Sequence, residues 1–139
     1  MKPLEQVRAE LVQQRLVKAD EDYRVAAFLL SENTPYLAAI GFHAQQSVEK
    51  HLTAALAAHE IEFPKTHMLG LLLDLPAEAD PALAASLQEC TALDPCSVTD
   101  RYPGDLPSLS EDDAVEAVRL AEMARHAVLE ALARPNTSR

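Results

Sequence analysis

The sequence predicts an all-α protein, an antiparallel up-and-down bundle of four to five helices. Ala and Leu dominate its apolar residues, and aromatic residues make up only 4% of the 139. Apolar positions recur at helical spacing, and no run alternates like strands closed by Gly-rich turns. A chain of this length suits one core. We therefore expect a single domain over residues 1–139, with a frayed tail at 134–139.

The first two helices are predicted from the residues that begin and end them. Pro3 suits a first helical turn, and the apolar stripe that follows it runs to about residue 30. In the break that follows, Thr34 is expected to cap a second helix that extends to about His59. Apolar and small residues cover most of this second helix, which is typical of a central bundle helix. Gly41 lowers helix stability by roughly 1 kcal/mol relative to Ala, so we expect another helix to approach closely there.

Capping residues predict three further helices in the second half of the chain. The expected caps are Thr66, Asp80 and Ser110. The helices that they begin are expected over residues 67–75, 81–94 and 111–133. Three carboxylates directly after Ser110 suit the positive end of the helix dipole. The connection between residues 94 and 110 is rich in proline and cannot be a regular helix.

The net charge of −10 is concentrated in one segment. Residues 74–116 carry eleven acidic side chains, and their one basic side chain is Arg101. Tight binding to nucleic acid without sequence preference needs a basic face, so this balance argues against it. A local basic pocket can still bind a nucleotide or RNA, and the acidic segment can equally contact a basic protein.

Several classes of protein are excluded by simple counts. No apolar run approaches the ~18–20 residues of a membrane span, and charge occupies the N-terminal positions where a signal peptide is apolar. We therefore expect a cytoplasmic protein without membrane contact.

Cys90 and Cys96 are expected to be separate thiols on different faces of a helix. Histidines at positions 43, 51 and 59 diverge around the second helix, so neither a metal nor a cofactor is expected.

The segment Lys65-Thr66-His67 and the dipeptide Arg101-Tyr102 are the first candidates for a site. Lys65 beside the N–H groups of a helix start is a plausible anion site. In the other interpretation, Thr66 only caps the helix and Lys65 is exposed. Arg101 either forms a structural salt bridge or faces a cleft with Lys65 and His67, where a nucleotide or RNA phosphate can bind. Tyr102 offers a hydroxyl that a partner enzyme can modify.

Arg119 and His126 are a second candidate pair, on the last helix. Seven residues are about two helical turns, so both side chains lie on one face. A histidine that shuttles a proton and an arginine that holds the phosphate can cleave RNA without a metal. The alternative is a solvated pair on a surface helix.

Four segments of the chain, taken in order, resemble the HEPN domain (higher eukaryotes and prokaryotes nucleotide-binding). They are Gly41 to Lys50, Pro64 to His67, Arg101 to Gly104, and the acidic cap of the last helix. The resemblance covers residues 5–133. It implies an up-and-down helical bundle that dimerises and that is often encoded beside a minimal nucleotidyltransferase, in pairs that resemble toxin–antitoxin modules.

The resemblance also implies what the site residues do. Many HEPN proteins are metal-independent endoribonucleases with an Arg-x(4–6)-His motif completed across a dimer, and in related pairs the nucleotidyltransferase transfers AMP to a tyrosine. Here Arg101 holds the place of the motif arginine, but no histidine follows it at that spacing. The expected function is therefore that of a nucleotide- or substrate-binding partner without its own catalysis. The expected ligand-binding residues are Gln45, Gln46, Glu49, Lys50, Lys65, Thr66, His67, Arg101 and Tyr102.

Two alternatives stay open at this point. The first is a ribonuclease toxin whose candidate catalytic residues are Arg119 with His126, or Arg101 with His67. The second is an assembly protein whose acidic segment binds another protein.

Overall fold

A computed structural model describes residues 2–75, 80–97 and 109–134 of the protein. In these ranges all regular structure is helical, so the predicted all-α class is confirmed. The α-helices are α1 (Leu4–Ser31), α2 (Leu37–Ala58), α3 (Leu69–Leu73), α4 (Pro81–Ser86) and α5 (Glu111–Ala133). A 3-10 helix (Gln88–Ser97) follows α4. None of the described helices combines the length and the apolar character needed to cross a membrane.

Helix α2 is the centre of the bundle, as its apolar circumference predicts. It packs against α1, α5 and the 3-10 helix, and more than half of its residues are buried. Side-chain contacts show that α1 and α2 are antiparallel. Along the pair, Asp22 contacts His43, Ala19 contacts Ser47, and Arg15 contacts Thr53.

Two of the four predicted caps are confirmed by their hydrogen bonds. The Ser110 hydroxyl accepts from the N–H of Asp113 at 3.1 Å, and the Asp113 carboxylate accepts from the N–H of Ser110 at 2.9 Å. This reciprocal capping box begins α5 at the predicted residue. Asp80 likewise accepts from the N–H of Leu83 at 3.0 Å and begins α4.

The two threonine caps are wrong. Helix α2 begins at Leu37 without a side-chain cap, and the Thr34 hydroxyl donates instead to the carbonyl of Leu29. Thr66 accepts from the N–H of Met68 in a turn that ends before α3 begins. Thr34 therefore bonds a carbonyl in the last turn of α1, and Thr66 stabilises the connection before α3. Neither caps the helix that it was expected to begin.

Asp94 in the 3-10 helix supplies the cap that α3 needs. Its carboxylate accepts from the N–H of Leu69 at 2.7 Å and from the N–H of Gly70 at 3.5 Å. The partner lies about 25 residues further along the chain. A cap from a residue this distant leaves no signal in the sequence around α3. The nearby Thr66 was therefore expected to be the cap.

The predicted fourth helix is two elements. Helix α4 ends at Ser86, and residues 88–97 form a 3-10 helix. The buried side chains Leu87, Cys90 and Leu93 recur every third residue, which matches the three residues per turn of a 3-10 helix. Cys96 continues this spacing, so the two cysteines lie on the same side of the helix and not on different faces, as the α-helical interpretation required.

The close approach expected at Gly41 is present. A Cβ atom added to Gly41 would lie 2.9 Å from Cys96 Sγ and 2.9 Å from Leu109 Cδ1. Both contacts are shorter than ordinary van der Waals contact. By contrast, the nearest atoms to a Cβ on Gly70 are 3.8 Å and 3.9 Å away.

We expect Gly41→Ala to lower the free energy of unfolding by about 1 kcal/mol, because overpacking outweighs the gain in helix propensity. Gly70→Ala is the matched control, and it should be neutral or stabilising by up to about 1 kcal/mol. Urea denaturation of both variants measures the difference. Equal stabilisation by the two alanines would show that the helices do not meet closely at Gly41.

His51 is a buried titratable group at the junction of α1, α2 and α5. It is 1% exposed, and its Nδ1–H donates to the carbonyl of Ser47 at 2.9 Å. Burial is the main cause that lowers the pKa of His51 to about 4, and the charge of Arg125 lowers it further. The Ser47 hydrogen bond and the Asp20 carboxylate act in the opposite direction.

A lowered histidine pKa makes stability fall as pH falls. Between the unfolded pKa near 6.5 and the folded pKa near 4, the unfolded chain binds a proton that the folded chain does not. Wild-type protein should therefore lose about 2–3 kcal/mol more stability than His51→Gln between pH 7 and pH 4.5. Urea denaturation at both values measures the loss. His126→Gln, at an exposed histidine, should lose as much as the wild type; an equal loss in His51→Gln would contradict the assignment.

Candidate functional site

A chain of hydrogen-bonded polar side chains joins α2 to the segment before α3. The Gln46 amide donates to Gln45 Oε1 at 2.7 Å. The Gln45 amide donates to the carbonyl of His67 at 2.9 Å and to Glu49 Oε1 at 3.3 Å. Glu49 Oε1 also accepts from His67 Nδ1 at 2.8 Å. Four of the predicted ligand-binding residues therefore form one network, which we call the α2 network (Gln45, Gln46, Glu49 and His67).

The α2 network fixes the orientation of the His67 imidazole. A carboxylate only accepts hydrogen bonds, so Nδ1 carries the proton and Nε2 is the acceptor of the neutral ring. Glu49 is 15% exposed at its side chain, whereas His67 is 61% exposed. The carboxylate thus lies on the protein side of the ring, and the ring is accessible from solvent.

A second polar cluster lies beside the α2 network, between α1 and α2. Asp22 on α1 accepts from Lys50 Nζ at 2.6 Å and from His43 Nδ1 at 2.9 Å. The Asp22 side chain is 13% exposed. Lys50 was a predicted site residue, whereas Asp22 and His43 were not. Positions 43, 46 and 50 share one face of a helix, and that spacing was the available signal.

The predicted anion site at the start of α3 is not open. The N–H groups of Leu69 and Gly70 donate to the carboxylate of Asp94, so the protein's own anion occupies that helix end. Lys65 is exposed, as the other interpretation expected, but Thr66 is half-buried and does not cap α3. Neither residue belongs to the α2 network.

Arg119 and His126 are each paired with a carboxylate on the exposed side of α5. The Arg119 guanidinium donates to Glu116 at 2.7 Å and to Glu89 at 3.1 Å, and both carboxylates raise its pKa. His126 Nε2 lies 3.5 Å from Glu130 at the side of the helix. These contacts are those of a solvated surface pair.

Arg101 and Tyr102 lie outside the described residues, so their expected position beside Lys65 and His67 stays a prediction. The described residues that border this segment on either side include Cys96 and Leu109, and both approach Gly41 near the start of α2. In the described ranges, no three His, Cys, Asp or Glu side chains come together in a way that can hold a metal ion.

The sequence of the chain matches one known protein family. The model of the HEPN domain matches residues 12–132, which is most of the chain. The matched range includes the α2 network, the Asp22 cluster and the position of Arg101. Comparison with curated proteins and with solved structures gives no significant match.

Proposed function

Because the chain belongs to the HEPN domain family, we propose that it is a nucleotide- or substrate-binding module without its own catalysis. Its partner is a minimal nucleotidyltransferase, and the two form a toxin–antitoxin-like pair in the cytoplasm. The protein acts as a homodimer. The observation that carries the proposal is the α2 network. Its hydrogen bonds hold the amide groups and the accessible imidazole ring of His67 in fixed orientations.

The chemistry of the α2 network supports ligand binding. The half-buried Gln46 amide offers both donors and acceptors, and the His67 ring offers an acceptor at Nε2 when neutral. Such groups are the few oriented polar contacts that fix a small molecule in a site. Gln45 is buried and its amide is bonded within the network, so it orients His67 and does not itself contact a ligand. The two predicted partners of the network, Lys65 and Arg101, would add positive charge for a phosphate.

One observation favours a second candidate function, a metal-independent endoribonuclease. Glu49 orients His67 through Nδ1, which is the arrangement of a histidine that transfers a proton through Nε2. Arg101 would then hold the phosphate. The other pair proposed from the sequence, Arg119 with His126, has less support. Glu130 lies beside Nε2 of His126 itself, and two carboxylates already pair with Arg119.

Nucleotide binding by His67→Ala tests the first candidate. Isothermal titration with AMP and ATP should show binding to the wild-type protein and an affinity about 10-fold lower in His67→Ala, because the hydrogen bond that Nε2 accepts from the ligand is lost. His126→Ala is the matched control, and it should bind like the wild type. No heat at millimolar nucleotide would contradict the binding function and favour assembly through the acidic segment.

The same proteins, incubated with RNA in EDTA, test the ribonuclease. The proposed function expects intact RNA at high protein excess. Cleavage that is lost in His67→Ala would establish the second candidate instead. Cleavage that is lost in His126→Ala and retained in His67→Ala would assign the reaction to the face of α5.

The partner is tested on the native protein. Affinity purification from its own cells should recover a small nucleotidyltransferase, and the intact mass of the purified chain should exceed the sequence mass by whole AMP units. Tyr102→Phe should remove that excess mass, because it lacks the hydroxyl that would accept AMP, and should retain the partner. An unmodified chain without such a partner would contradict this pairing.

A further inference from the structure

The outer face of α1 carries a stripe of exposed side chains that no described element covers. Val17, Glu21, Arg24 and Phe28 are spaced by four, three and four residues, so they lie along one side of the helix. Val17 is 59% exposed and Phe28 is 62% exposed. We call these four residues the α1 stripe.

The α1 stripe lies opposite the packed side of the same helix. Ala19 and Ala26, each two residues from a member of the stripe, are fully buried against the bundle. A shallow groove of about 490 Å³ runs along the stripe. It is lined by Val17, Asp20, Glu21, Arg24, Val25, Phe28 and Leu29.

We propose that a second copy of this chain occupies the groove, with the two α1 helices antiparallel about a two-fold axis between positions 22 and 23. In that register Val17 meets Phe28 of the second copy, and Glu21 meets Arg24 of the second copy. Each contact occurs twice, as a two-fold interface requires. The inference rests on the homodimer of the proposed function and adds the surface that forms it.

The pattern of the α1 stripe is self-complementary only in this register. Apolar side chains lie at its two ends and opposite charges lie at its centre, so the antiparallel pairing matches apolar with apolar and acid with base. A shift of one heptad would place Val17 against Glu21 of the second copy. With four–three spacing, Val17 and Arg24 occupy one of the two core positions of a heptad, and Glu21 and Phe28 occupy the other. In an antiparallel helix pair, a residue at one core position packs against a residue at the other, as this register requires.

A hydrogen bond within α1 already orients the Arg24 side chain. Its Nε donates to Asp20 at 2.6 Å, and Asp20 in turn accepts from Arg125 at 2.7 Å. The Arg24 side chain is 70% exposed despite this pairing. The contact spans about 18 Å of helix, at 1.5 Å per residue, so we expect a small interface that dissociates in the micromolar range.

A charge-swap experiment tests the register. Sedimentation equilibrium from about 1 to 500 μM should show a wild-type dimer. Glu21→Arg alone and Arg24→Glu alone each create two like-charge contacts, and each should weaken the dimer about 10-fold or more. The double variant Glu21→Arg/Arg24→Glu restores opposite charges in this register, and it should dimerise within about 3-fold of the wild type.

Phe28→Glu should weaken the dimer about 100-fold. The substitution removes an aromatic side chain that dimerisation would bury at both ends of the interface. Val115→Glu is the matched control: Val115 is 53% exposed on α5, and its variant should dimerise like the wild type. Circular dichroism shows that each variant is folded.

The outcomes separate this inference from the proposed function. A dimer that is indifferent to Phe28→Glu, or single charge reversals that the double variant does not rescue, would overturn the α1 interface and leave the homodimer intact. A wild-type monomer at every concentration would overturn both. Nucleotide titration of the folded Phe28→Glu variant then shows whether ligand binding survives without this dimer.

Discussion

The burial of α2 on most of its circumference is the constraint on which the rest of the structure depends. A helix packed between α1, α5 and the 3-10 helix cannot leave its polar side chains unpaired, because an unsatisfied buried polar group costs free energy. Gln45, Ser47 and His51 are all buried, and each has a hydrogen-bond partner. In the described residues, no buried side-chain nitrogen or oxygen lacks one. The packing of α2 therefore determines where its polar groups point.

That constraint also positions the candidate site. Gln45 reaches out of α2 to the carbonyl of His67 and so fixes the backbone of the segment before α3. Glu49 then orients the His67 ring through Nδ1. Two bonds from adjacent turns of one helix thus hold both the main chain and the side chain of His67. A ring held in this way reaches a ligand with little loss of conformational entropy.

The sequence predicted the elements better than it predicted their connections. The bounds of α1 and the start of α5 followed from local signals, above all the Ser110–Asp113 capping box. Thr66 was misassigned because Asp94, distant along the chain, caps α3. The change from α-helix to 3-10 helix after Ser86 was missed because positions 82–94 contain no proline or glycine that would signal a helix end. The Asp22 cluster required the register between α1 and α2, which composition does not contain.

The charges around α2 bear on the kind of ligand that the proposed site would take. Asp22 accepts from Lys50 and His43, and Glu49 accepts from His67, so carboxylates on the protein side offset the basic groups of this face. A highly charged polyphosphate would gain little from such a balanced surface. The Gln46 amide and the Nε2 acceptor of His67 instead favour recognition of a base by hydrogen bonds. Extra affinity for phosphate would have to come from exposed Lys65 or from Arg101, and the acidic excess at residues 74–116 makes that local contribution the decisive one.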